Sequence, residues 1–143
     1  MSLTYIEGSL LDTEIVHIIH GCNAKGVMSA GVAKQIRAKY PKAYKDYRKQ
    51  YKTNGFDLGS IVVSIQPCGK VIHNAIIQKD YGTQQRQVSY SAIEKVFRKI
   101  DKWPLKELAM PQIGAGLAGG DWNIIKDIIE KSLKNVKPYV YII

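Results

Sequence analysis

Residues 111–122 read PQIGAGLAGGDW. Four glycines, Gly114, Gly116, Gly119 and Gly120, fall within seven residues, more than a tight turn requires. The stretch follows a short apolar run and precedes a helical pattern, so it joins a strand to a helix. Read literally, Gly114-x-Gly116-x-x-Gly119 is the dinucleotide fingerprint. That fingerprint opens a βαβ unit and needs an acid about 20 residues later for the ribose. Here Glu130 is the last acidic residue. It falls inside the helical pattern, and the strand that follows carries none. The Gly-Lys-Ser/Thr of a P-loop is missing as well. Both readings are rejected, but the physics of the glycines survives. They let successive N–H groups converge on one point, and a helix start just downstream favours an anion.

A second such segment lies near the N-terminus. Residues 21–33, GCNAKGVMSAGVA, also join an apolar strand to a helical pattern. Two bare backbone loops facing each other across the carboxyl edge of a sheet, where α/β proteins bind ligands, suit a diphosphate.

Outward from these loops, strands and helices alternate. Residues 3–7, 15–22, 61–65, 71–78, 107–110 and 139–143 read as strands, with Val16, Ile18 and Ile19 expected inside. Residues 30–39 read as a helix that ends at Tyr40-Pro41, because the residue before proline avoids the helical region. Pro41 suits the first turn of a second helix, 41–51. Ser91-x-x-Glu94 has the capping-box pattern, and the helix it opens carries Ile93, Val96, Phe97 and Ile100 on one stripe. Asp121 is placed to cap a last helix, with Ile124, Ile125, Ile128 and Ile129 facing inward. Alternation of this kind means an α/β layered fold, and 143 residues suit one domain, 1–143.

Lysine and arginine exceed acids by nine, which fits a phosphate-bearing or polyanionic partner and equally a lysine coat kept for solubility. In the densest basic stretch, Tyr40, Tyr44, Tyr47 and Tyr51 recur at mostly helical spacing, which favours packing over base stacking. Cys22 and Cys68 are the only cysteines. Without a secretory signal they read as buried free thiols. His17 and His20 are three apart on a strand and point to opposite faces, so no zinc pair forms. Neither a metal nor a cofactor is expected. No long apolar run is present, so no membrane span and a cytoplasmic location are expected.

Together the two loops and their flanks resemble the macro domain family, which binds ADP-ribose. The resemblance rests on Gly8-Ser9-Leu10-Leu11, His20-Gly-Cys-Asn23-Ala-Lys-Gly26, Ser29-Ala-Gly31-Val-Ala33 and residues 111–122. It implies a three-layer α/β/α sandwich with a mixed central sheet. The branch it looks most like includes ADP-ribose-1″-phosphate phosphatases, terminal ADP-ribose protein glycohydrolases, and antitoxins that remove ADP-ribose from thymine in single-stranded DNA. The partners implied are ADP-ribose or a derivative, and an ADP-ribosylated protein or nucleic acid.

Residue roles follow from the same resemblance. Ser9 and Leu10 would lie beside adenine, with Ser9 standing where many members have an aspartate. Asn23 matches the asparagine on the distal ribose, where an amide suits a diol. Gly31, Val32 and Ala33 would offer N–H groups to the diphosphate, as would Gly114, Ala115, Gly116, Leu117 and Ala118 from the other side. Lys79 matches the lysine that some glycohydrolases use on the distal ribose carbon. His20 and Asp80 are candidates to assist water attack on a 1″-phosphate. Ala118 stands where the protein glycohydrolases carry an aspartate. Three functions follow: hydrolysis of an ADP-ribose derivative such as ADP-ribose-1″-phosphate, removal of ADP-ribose from protein or DNA through Lys79, and binding without turnover.

Overall fold

The computed structural model of the protein describes residues 1–81 and 87–143. Its strands are β1 (Thr4–Glu7), β2 (His17–Asn23), β3 (Ile61–Ile65), β4 (Val71–Gln78), β5 (Glu107–Met110) and β6 (Lys137–Ile142). Its α-helices are α1 (Gly31–Lys39), α2 (Pro41–Asn54), α3 (Tyr90–Ile100) and α4 (Trp122–Ser132). The six strands form one sheet in the order β1-β6-β5-β2-β4-β3. Every neighbouring pair is parallel except β3 with β4. The sheet is therefore mixed, and its five parallel strands end on one rim.

The two periods of the sequence explain the layers. Strand residues alternate faces, so Ile18 and Ile72 pack with Ile36 of α1, Ala43 of α2 and Tyr40 between them. Ile19, Ala75 and Ile77 turn the other way and pack with Ile93, Val96, Phe97 and Ile100 of α3 and Ile125 and Ile129 of α4. Both faces are covered by helices, which is the three-layer α/β/α sandwich. The tyrosines of this stretch behave as packing residues: Tyr40, between α1 and α2, and Tyr47 of α2 are buried, and Tyr47 stacks on Phe56 with ring centroids 5.1 Å apart.

Four local expectations need correction. The cap of α3 is Ser89, whose hydroxyl accepts from Ala92 N–H at 3.2 Å. Ser91 lies inside the first turn, and Glu94 pairs with Arg98 one turn on, so the capping-box spacing was a coincidence of an i,i+4 ion pair. Ile124 of α4 is exposed, whereas Ile128 is half-buried and packs against the core that Ile125 and Ile129 enter. Val16 is exposed and precedes β2, which begins at His17. Cys68 is exposed in the β3–β4 hairpin, while Cys22 is buried. Among the described residues, no helix is long and apolar enough to cross a membrane.

Candidate functional site

Strand β2 runs from half-buried His17 through buried Ile18 and Ile19 to Gly21, Cys22 and Asn23 at the parallel rim. There the chain stops being a strand because Asn23 folds it. The Asn23 Oδ1 accepts from Lys25 N–H at 2.9 Å and Val27 N–H at 3.3 Å, and its Nδ2 donates to the Val27 carbonyl at 2.8 Å. Tyr47 supports it from α2. Its hydroxyl donates to the Asn23 main-chain carbonyl at 2.7 Å and lies 3.0 Å from Oδ1. Asn23 is thus the hub of the first loop. Burial beside Cys22 pushes the Tyr47 hydroxyl up, so it stays a donor.

The first loop delivers the chain to α1 with no cap. Ala30 occupies the N-cap position in an extended conformation and offers no side-chain acceptor. The first N–H to bond is that of Lys34, to the Ala30 carbonyl at 3.3 Å. The N–H groups of Gly31, Val32 and Ala33 have no partner among the described residues. Unsatisfied N–H groups at a helix start, aligned with its dipole, are an anion site.

The second loop follows β5. It is knitted by Gly120 N–H to the Gly114 carbonyl at 2.8 Å and Gly119 N–H to the Gly116 carbonyl at 3.1 Å. The N–H groups of Gly116, Leu117 and Ala118 are left without a partner among the described residues. Glycine is needed at Gly120 for packing, since a Cβ there would lie 2.5 Å from the Gly114 carbonyl oxygen. The two loops meet: a Cβ at Gly31, whose φ is +59°, would lie 3.2 Å from Leu117 Cδ1.

Between them opens a cavity of about 520 Å³, within the usual size range of small-molecule sites. Its walls include Asn23, Gly31, Val32 and Ala33 from the first side and Gly114, Gly116, Leu117 and Ala118 from the second. All eight had been singled out from the sequence. Ala115, from the same set, is half-buried behind the second loop, packed against the α3–α4 core.

The remaining candidates lie elsewhere. Ser9 caps a short 3-10 turn by accepting from Leu11 N–H at 3.2 Å, and Leu10 is buried against Ile18 and Ile36. Neither lines the cavity. Lys79 and Asp80 are exposed just past β4, between Gln78 and Tyr81, which both line it. Asp80 Oδ1 accepts from Tyr81 N–H at 2.8 Å.

His20 is fully buried on the α2 side of the sheet. Its Nε2 is 2.6 Å from Asn74 Oδ1, and Asn74 Nδ2 donates to the carbonyls of Ala43 and Val62. That donor arrangement makes Asn74 Oδ1 the acceptor and puts the imidazole proton on Nε2. Cys22 Sγ sits 3.6 Å from the same nitrogen. The trio has the composition of a thiol nucleophile with its base, but burial pushes the Cys22 thiol up and His20 down to about 4. Both are neutral at pH 7, and the thiol is inert.

Sequence reasoning missed Gln78, Tyr81, Gln112 and Ser29, all cavity-lining, and the supporting pair Tyr47 and Asn74. Gln78 had a readable signal: a polar residue ending an apolar strand. Tyr47 had none, since it looked like packing and is also that. Among the described residues, no group of three or more potential metal ligands occurs.

A family model described as "Macro domain" matches residues 19–129. The chain is 26% identical over 148 residues to a DNA ADP-ribosyl glycohydrolase of Thermus aquaticus, covering 97% of this chain and 41% of that one. It is 24% identical over 160 residues to an ADP-ribose 1″-phosphate phosphatase of Lodderomyces elongisporus, covering 100% of this chain and 99% of the other. The solved macrodomain of Thermus aquaticus DarG superposes with a TM-score of 0.84 at 24% identity, over 99% of this chain and 98% of that one. The chain thus spans about two fifths of the bacterial glycohydrolase it matches.

Proposed function

Taking as premise that this chain belongs to the macro domain family, we propose that its cleft binds ADP-ribose or a derivative, with the pyrophosphate held between the two loops. The observation that carries this is the pair of facing main-chain surfaces, the bare start of α1 and the N–H run at Gly116 to Ala118, lining one cavity. Backbone donors bring no counter-charge, so the α1 dipole and the chain's positive balance supply the attraction. Asn23 and Gln78 also line the cavity. Each amide is already engaged within the protein, Asn23 in its own loop and Gln78 Nε2 on the Asp80 carbonyl at 2.7 Å, and each keeps one N–H for a ribose hydroxyl.

The reaction we propose is hydrolysis of an ADP-ribose derivative, with ADP-ribose-1″-phosphate as substrate. The match to the yeast phosphatase along both whole chains supports it. In that reaction water attacks the terminal phosphorus and the ribose hydroxyl leaves. A second reading, release of ADP-ribose from protein or DNA through Lys79, is favoured by one observation. His20 is sealed under the sheet, whereas Lys79 stands between two cavity-lining residues.

Calorimetric titration with ADP-ribose, with NAD and ATP as comparisons, tests the binding. A micromolar Kd, about −8 kcal/mol, is expected for ADP-ribose, and absence of heat would overturn it. Phosphate release from ADP-ribose-1″-phosphate that survives Lys79→Ala supports the first reaction. ADP-ribose release from modified thymidine or glutamate that Lys79→Ala abolishes supports the second. Binding with no turnover on any of these substrates leaves a reader.

A further inference from the structure

The chain's positive charge is concentrated. Residues 31–54, the α1–α2 pair, hold eight of the 21 lysines and arginines and one of the twelve acids. The rest of the chain keeps 13 cations and 11 acids and is nearly balanced. The single acid, Asp46, is already engaged by Lys42 at 2.7 Å and by the Ser64 hydroxyl at 2.6 Å.

The cations are also ordered. Lys42, Lys45, Lys49 and Lys52 follow a 3-4-3 spacing, so they share one stripe of α2 about 15 Å long. All four are exposed, while Ala43 and Tyr47 fill the buried side. Like charges three and four residues apart destabilise a helix. Lys42 is relieved by Asp46, while Lys45, Lys49 and Lys52 have no ion-pair partner among the described residues, and a polyanion would relieve them. Beside it the Arg37 guanidinium lies 3.8 Å from the Tyr44 ring centroid, and Arg48 lies 5.1 Å from that of Tyr51. Arg48 is half-buried and donates to the Gly26 carbonyl at 3.2 Å, whereas Arg37 is exposed. A guanidinium held over a ring is preorganised as a donor and offers a plane on which a nucleobase stacks.

We propose that the outer face of α1–α2 binds the phosphodiester backbone of a single-stranded nucleic acid. A regular run of cations with a guanidinium platform at Arg37 matches a chain of evenly spaced phosphates and bases. An anionic bilayer calls for apolar side chains among the lysines, and Gln50 and Thr53 beside the stripe are polar. The proposal concerns unmodified strands and stands apart from the reading of the cleft.

The test is fluorescence anisotropy of a labelled oligothymidine of about 20 nucleotides across a salt series. About five phosphate contacts give a slope of log K against log salt near −3.5, a loss of about a hundredfold between 50 and 200 mM. The triple variant K45E/K49E/K52E is expected to flatten that slope by about 2 and to weaken binding at least tenfold. K102E/K106E/K131E, the same charge change on exposed residues outside α1 and α2, is expected to stay within about threefold of the parent. Circular dichroism and ADP-ribose calorimetry on both variants report the fold and the cleft separately. The proposal is overturned if the parent does not bind the strand, if both triple variants weaken it equally, or if polyglutamate or phosphatidylserine vesicles compete at lower charge concentration than oligothymidine.

Discussion

Helices α1 and α4 both follow a glycine-rich loop at the parallel rim of the sheet, yet they begin in opposite ways. At α4, Asp121 accepts from Asn123 N–H at 2.9 Å, and its own N–H is taken by the Tyr90 hydroxyl at 3.0 Å. The Trp122 indole is tied to the Tyr5 hydroxyl at 3.0 Å. That helix start is closed by its own side chains. At α1, Ala30 brings nothing, and the first turn opens into the cavity. Glycines are common to both loops. What separates the cavity-facing helix start from the closed one is the residue at the cap.

Exchanging the caps breaks the comparison most sharply. Ala30→Asp gives α1 the acceptor that α4 has, which should raise stability by about 1 kcal/mol. It also occupies the N–H groups and sets a carboxylate against the pyrophosphate. ADP-ribose affinity is expected to fall at least about a hundredfold, roughly 2.7 kcal/mol, while the thermal midpoint rises. A variant with a higher midpoint and unchanged affinity would remove α1 from the site.

Asn23→Ala dismantles the hub that aims the bare loop. It leaves the Lys25 and Val27 N–H groups without their acceptor, and should lower stability by about 2 kcal/mol in urea unfolding. Asp12→Asn, on the remote 3-10 turn, should change little.

The two sides also differ in the histidine each buries. On the α2 side, burial lowers His20 to about 4. On the α3 side, burial and the neighbouring His17 lower His73 to about 3. Both ionise more readily in the unfolded chain, near 6.5, so the unfolded state binds more protons below that pH. Stability is therefore fully present above about pH 6.5 and is lost as pH falls toward 4, by up to about 1.4 kcal/mol per unit for each histidine. Unfolding curves at pH 7, 6 and 5 measure this, and a flat profile contradicts the buried, neutral assignment. The smallest effect is the reciprocal cap change. Asp121→Ala should cost about 1 kcal/mol in thermal unfolding and leave ADP-ribose affinity unchanged.

The layered fold was legible because it rests on period: alternating strands, helical stripes, and the break at Pro41. The two cavity-lining loops were legible because bare backbone needs small residues, which composition reveals directly. The Asp121 cap was readable for the same local reason. The missing cap at Ala30 was equally written in the chain, as an alanine where serine or aspartate is usual. The orientation of His20 was half legible. Strand period sets it opposite His17, but whether that face looks into a cavity or a core depends on Asn74, 54 residues away. Gln112 and Tyr81 lie in irregular segments with no period to read, so only the folded rim shows them lining the cleft.

The reversed edge strand has a practical consequence. Because β3 runs against β4, the hairpin between them turns at the rim opposite the cleft, and it carries Cys68 as an exposed thiol while Cys22 is buried. A maleimide dye or a biotin tether attached at Cys68 would anchor the molecule by its far end, leaving the mouth of the cleft facing outward to whatever flows past.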